Sequence, residues 1–296
     1  MKKKGKRKMT RNFTPNTYKN LCSQASSMSL MNQRNKVAYD GWRVKDNYYD
    51  PKSNFRGVLY EKDGQYALAF AGTDIKSYQD WKANASMVLT GDSKQIQQAR
   101  KFASDMKDKY GLTPENTVSL GHSEGGNEAT HVGIENKLPT FTYNAFGVRK
   151  KDYPDNYDDL VTNYRDPHDP VSKLKKNVGK TFITPNIQTW IKSHTPFGSI
   201  QAHRIDNMGD TELSVPIEDY KKKNPMFLDA ITDAEITRED IARMEPDLFR
   251  LYESEIDERM KNNQILADAD IEERLRRMGI FSGRGNMGYF RRLAFV

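Results

Sequence analysis

The chain has 296 residues, of which 36% are apolar and 29% charged, enough for one full core with room for an appendage beneath a well-solvated surface. Its net charge of +7 resides in residues 1–11, which carry five lysines, two arginines and no acid, while the other 40 basic and 40 acidic residues cancel. The body is therefore neutral and its tyrosines are scattered, so no nucleic-acid partner is expected; no run approaches the ~20 apolar residues of a membrane-spanning helix, and Cys22, the sole cysteine, excludes an internal disulfide or a cysteine-based zinc cluster.

In chain order, residues 1–12 read as a basic disordered tail. A peripheral contact with anionic membrane is the alternative, each basic residue adding ~1 kcal/mol near such a surface. Asn12 to Gln24 holds no continuous apolar segment, so no Sec-type signal is expected, and the location is the cytoplasm or export by a non-Sec route. Residues 13–215 alternate short apolar strands with amphipathic helices. Gly57–Tyr60 and Tyr66–Phe70 predict two strands joined by a turn at Lys62-Asp63-Gly64. Lys94–Tyr110 predicts a helix with Ile96, Ala99, Phe102, Ala103, Met106 and Tyr110 on one stripe and Gly111 as its stop. Strands follow at Thr117–Leu120, Phe141–Asn144 and Leu160–Tyr164, with a helix from Glu124 to about Ile134. Strands alternating with helices imply a mainly parallel sheet covered on both faces. Residues 216–296 read as a helical C-terminal extension. Thr232-x-x-Glu235 and Thr237-x-x-Asp240 resemble capping boxes, Ile241, Met244, Leu248 and Leu251 keep helical period around Pro246, and a second helix is expected over Asp268–Met278.

Gly121-His-Ser-Glu-Gly125 is a G-x-S-x-G pattern set between a predicted strand and a predicted helix. In that setting serine occupies a tight, strained turn, the glycines let strand and helix approach, and the amide of Glu124 at the helix start can receive an oxyanion. Ser123 is thus the candidate nucleophile. There is no HExxH, no Cys-His cluster, no Asp-rich loop and no G-x-x-x-x-G-K-[ST], so no metal and no cofactor is expected.

Ala69-Phe-Ala-Gly-Thr73, Asp80-Trp81 and Gly121–Gly126 together resemble the class 3 lipase family, over roughly residues 35–210. The resemblance implies an α/β-hydrolase fold, hydrolysis of lipid esters such as triglycerides or phospholipids, and Thr73 as the second oxyanion-hole residue beside Glu124. The fold orders its triad as Ser, acid, His. Asp169-Pro-Val-Ser172 resembles the family's acid element, with Asp166 as the other candidate, and either aspartate is equally a turn former before proline. Of the five histidines, His122 adjoins the nucleophile where the elbow points it away, His131 falls in the next helix, and His168 comes too early. His194 and His203 are left, and Gln201–Met208 resembles the family's terminal histidine segment, favouring His203. Ala71 in place of the usual Arg, Glu124 in place of an apolar residue, and the larger Asn127 depart from the family pattern. They bear on substrate class more than on reaction type. Two other readings stand beside lipid-ester hydrolysis: an esterase or thioesterase on soluble substrates, and an inert hydrolase scaffold that binds a protein partner through its C-terminal helices. Those helices would equally suit a docking or export module of a bacterial lipase delivered without a signal peptide.

Overall fold

A computed structural model describes residues 13–30, 33–72, 94–145, 147–148, 152–153, 155–169, 171–173, 177–186 and 198–224. The basic tail, Thr73, His194 and every helix expected beyond residue 224 lie outside the described residues.

The core is an eight-stranded sheet whose strands lie in chain order: β1 (Arg43–Asp50), β2 (Phe55–Lys62), β3 (Gln65–Phe70), β4 (Thr117–His122), β5 (Thr140–Tyr143), β6 (Val161–Arg165), β7 (Lys180–Ile183) and β8 (Val215–Pro216). Strands β3 to β7 are parallel, while β1, β2 and β8 run antiparallel to their neighbours. This is the mainly parallel α/β-hydrolase type of sheet that the sequence predicts. The β2–β3 hairpin turns where expected, with Asp63 at φ 50° and Gly64 at φ 74°; two successive positive φ values match the turn to the twist of the strands.

Each face of the sheet is covered, and the period of two along β2 and β3 decides what covers it. Val58, Tyr60, Ala67 and Ala69 pack with Leu21, Cys22 and Ala25 of α1 (Pro15–Met28). Leu59, Leu68 and Phe70 point the other way, onto Ala99, Phe102 and Ala103 of α2 (Lys94–Tyr110) and Ala129 and Val132 of α3 (Glu124–Asn136). Helix α2 has the predicted bounds and buries five of the six predicted stripe residues, with Gly111 at φ 67° behind it. The sixth, Tyr110, instead sends its hydroxyl to Asp46 Oδ2, 2.8 Å away, where Lys109 Nζ also binds at 2.7 Å. That buried carboxylate ties α2 to β1.

Elements beyond the predicted set include the first helix, the first strand and the last two strands. Helix α1 starts on a Thr14 cap, whose hydroxyl accepts the Thr17 N–H at 3.3 Å, with Pro15 in the first turn. Its Tyr18, Leu21, Cys22, Ala25 and Met28 are buried at helical spacing. Strand β1 reads as polar because it is the sheet's edge and buries only alternate residues such as Val44 and Asp46. At the other edge, β8 pairs with β7, and α5 (Ile217–Lys223) follows with Ile217 buried.

Because β4, β5 and β6 are parallel neighbours, the residues just after them (Ser123, Asn144 and Asp166) share the carboxyl edge of the sheet. In open α/β sheets that edge is where ligands bind.

Candidate active site

Strand β4 ends at His122, α3 begins at Glu124, and Ser123 between them has φ 56° and ψ −125°. A non-glycine residue in this region is strained, and the neighbouring packing imposes it. A Cβ on Gly121 would stand 2.0 Å from the Gly125 carbonyl oxygen, and one on Gly125 would stand 2.1 Å from that of Phe70. Only hydrogens at both positions allow β3, β4 and α3 to meet so closely, which lifts Ser123 to the sheet edge.

Ser123 Oγ lies 2.8 Å from His203 Nε2, and His203 Nδ1 lies 3.0 Å from Asp169 Oδ1. All three residues are buried. His203 closes the short helix α4 (Gly198–His203). Asp169 Oδ1 also accepts the Val171 N–H at 2.9 Å, and Oδ2 accepts the Ser172 N–H at 3.1 Å. Burial by itself would raise the Asp169 carboxyl, but His203 and these donors outweigh it and hold it below the usual carboxylate value. The other candidate acid, Asp166, turns elsewhere: its Oδ1 accepts the His168 N–H at 2.8 Å, bracing the loop that carries Asp169.

Of the two expected oxyanion residues, Glu124 is the first residue of α3, where helix amides point out of the end and favour an anion. Thr73 is outside the described residues, but its neighbour Gly72 is not: a Cβ there would lie 3.1 Å from the Ser123 Cβ and 2.8 Å from the His122 carbonyl oxygen. The chain therefore reaches the elbow one residue before Thr73.

His131 is buried in α3 with Nδ1 2.5 Å from the Tyr153 hydroxyl, away from Ser123's partners. One turn into α3, Glu128 is buried with no partner for Oε2 among the described residues, and burial together with Glu124 raises its carboxyl well above the ordinary value. No group of three His, Cys, Asp or Glu side chains able to hold a metal occurs among the described residues, and no described helix is long and apolar enough to cross a membrane.

The structure corrects the expectation for His122. Its ring does not point idly away but lies 5.0 Å from the His203 ring, with Nε2 2.8 Å from the His203 carbonyl oxygen. A carbonyl only accepts, so Nε2 carries the proton. The residue is only partly exposed, and its imidazole is desolvated. That desolvation, followed by the neighbouring His203, pushes His122 down to about 4. An unfolded histidine titrates near ~6.5, so between these values the unfolded chain binds more protons and stability falls as pH drops. The loss from this group by pH 5 is about 2 kcal/mol. In urea melts at pH 7 and pH 5, His122→Gln is expected to shrink the wild-type stability difference by about that amount; an unchanged difference would contradict the assignment.

A family model described as a Tle-like phospholipase domain matches residues 11–193. The chain is 28% identical over 188 residues to an extracellular phospholipase A1 of Serratia liquefaciens, covering 54% of this chain and 56% of that protein, so it spans little more than half of this relative's length. Among solved structures, the native Rhizomucor miehei lipase propeptide complex aligns over 57% of this chain and 67% of its own, with 13% identity and a TM-score of 0.43. A triacylglycerol lipase of Penicillium expansum aligns over 57% and 78%, with 15% identity and a TM-score of 0.38.

Proposed function

The chain belongs to the family of Tle-like phospholipase domains, and on that premise we propose that it hydrolyses acyl ester bonds of phospholipids through Ser123, His203 and Asp169 and an acyl-enzyme. The observation that carries the reading is the unbroken relay from Ser123 Oγ through His203 to Asp169, at 2.8 and 3.0 Å, on a serine whose backbone is held in a strained turn.

In this mechanism His203 Nε2 takes the Ser123 proton as Oγ attacks the ester carbonyl carbon. Asp169 keeps the other ring proton on Nδ1 and stabilises the imidazolium without itself becoming protonated. The carbonyl oxygen becomes an oxyanion and is received by the amides of Glu124 and Thr73, each donor worth ~3–4 kcal/mol of barrier. The imidazolium then protonates the departing glycerol oxygen as the carbon–oxygen bond breaks, leaving the acyl group on Ser123. Water enters, gives a proton to His203 and attacks the acyl carbon; collapse of that intermediate releases the fatty acid and restores Ser123. The basic residues 1–11 suit a lipid substrate by adding attraction to anionic headgroups.

The test compares phospholipid vesicles with a soluble short-chain ester. Fatty acid should be released from vesicles, with turnover exceeding that on the soluble ester. No release from vesicles alongside efficient cleavage of the soluble ester would reject the lipid assignment and favour a soluble-substrate esterase.

A further inference from the structure

The end of β5 is wired to all three members of the proposed triad. The Tyr143 carbonyl accepts the Ser123 N–H at 3.1 Å. Asn144, the next residue, turns out of the strand at φ 45° and gives its N–H to the Tyr164 carbonyl at 2.9 Å. Its side chain is completely buried. Nδ2 donates to the carbonyls of Ala202 at 2.9 Å and His203 at 3.2 Å, while Oδ1 accepts the N–H of Asp166 at 2.8 Å. Asp166 opens the loop that carries Asp169, and the Asp169 N–H returns to the Asp166 carbonyl at 3.2 Å.

The partners fix which way the amide points. A backbone N–H can only donate and a carbonyl can only accept, so a flipped amide would oppose like groups at all three contacts. The left-handed φ further narrows the choice, since asparagine tolerates it better than most residues. His122 Nε2 donates to the same His203 carbonyl from the end of β4. His203 ends a helix of six residues, too short to orient a side chain by its own stiffness, and its carbonyl is one that the helix leaves open.

We infer that Asn144, assisted by His122, is the positioning residue of this site, setting His203 and the Asp169 loop relative to each other through the backbones of His203 and Asp166. The inference rests on the triad reading above. Neither residue accepts the Ser123 proton; each acts on where the base stands.

The test uses the full chain with Asn144→Asp, His122→Gln and His122→Phe, with Ser123→Ala beside them. Asn144→Asp keeps the acceptor for Asp166 but turns an oxygen towards two carbonyls. It should lower kcat by about 10²-fold, the cost typical of a base displaced by about an ångström, with KM on vesicles little changed. The low-field proton resonance of the His203–Asp169 hydrogen bond should shift or broaden. His122→Gln can still donate and should stay within about threefold of wild type, whereas His122→Phe should lose roughly tenfold or more. If Asn144→Asp does not fold, the His122 pair decides the matter. Equal kcat for His122→Gln and His122→Phe, or a folded Asn144→Asp with wild-type kcat and an unmoved resonance, overturns the positioning role. Full turnover in Ser123→Ala would instead overturn the triad reading on which it rests.

Discussion

Ser123→Ala is expected to abolish labelling by a fluorophosphonate probe and to lower ester turnover by on the order of 10⁶-fold. The loss is so large because the nucleophile and base act as one unit: without Oγ, His203 has no proton to take and no intermediate to protonate. The variant should nevertheless fold as the wild type does. Alanine keeps the Cβ and hence the backbone strain already present at φ 56°, and it removes a single hydrogen bond, worth about 1 kcal/mol. Urea melts of both proteins would establish that equivalence. A well-folded wild type that takes up no probe and cleaves no ester would overturn the enzymatic reading in favour of an inert scaffold.

The second large effect is on folding. Gly125→Ala should destabilise the chain by more than about 4 kcal/mol, a large part of a typical domain's stability, and yield little soluble protein. The added methyl would lie 2.1 Å from the Phe70 carbonyl oxygen and 2.9 Å from the Ala71 carbonyl carbon. Both are backbone atoms at the end of a central strand, so neither can swing aside as a flexible side chain would. Gly64→Ala is the matched control: its site has open space, with nothing within 4 Å of the added carbon, and only its φ of 74° is unfavourable. It should cost about 1 kcal/mol. If Gly125→Ala melts within 1 kcal/mol of the Gly64→Ala control, the close approach at the elbow is not what holds Ser123 in its turn.

The two predictions depend on information of different range. The elbow was legible because its chemistry is local: Gly121, Ser123 and Gly125 occupy a few consecutive positions, directly between a short strand and a helix. Helix α2 and the β2–β3 hairpin were legible for the same reason, one through its 3.6-residue stripe and the other through Asp63-Gly64. Helix α1 carries a comparable stripe in Tyr18, Leu21, Cys22 and Ala25, and reading that stretch only for a signal peptide passes over it. Strand β1 carried little signal, because an edge strand keeps a polar sequence and gains its stability from pairing with β2.

The sequence by itself thus determined the class of fold, the turn that holds Ser123 and the two short segments that carry Asp169 and His203. Which carboxylate meets His203 was decided only in three dimensions. Asp166 and Asp169 both follow β6, both precede proline, and stand three residues apart; a loop braced by Asp166 turns Asp169 towards His203. The contacts made by His122 and Asn144 were likewise invisible in one dimension. Their partners in the 202–203 segment lie 58 to 81 residues away, and no local pattern encodes a contact that exists only after parallel strands bring their carboxyl ends to one edge of the sheet.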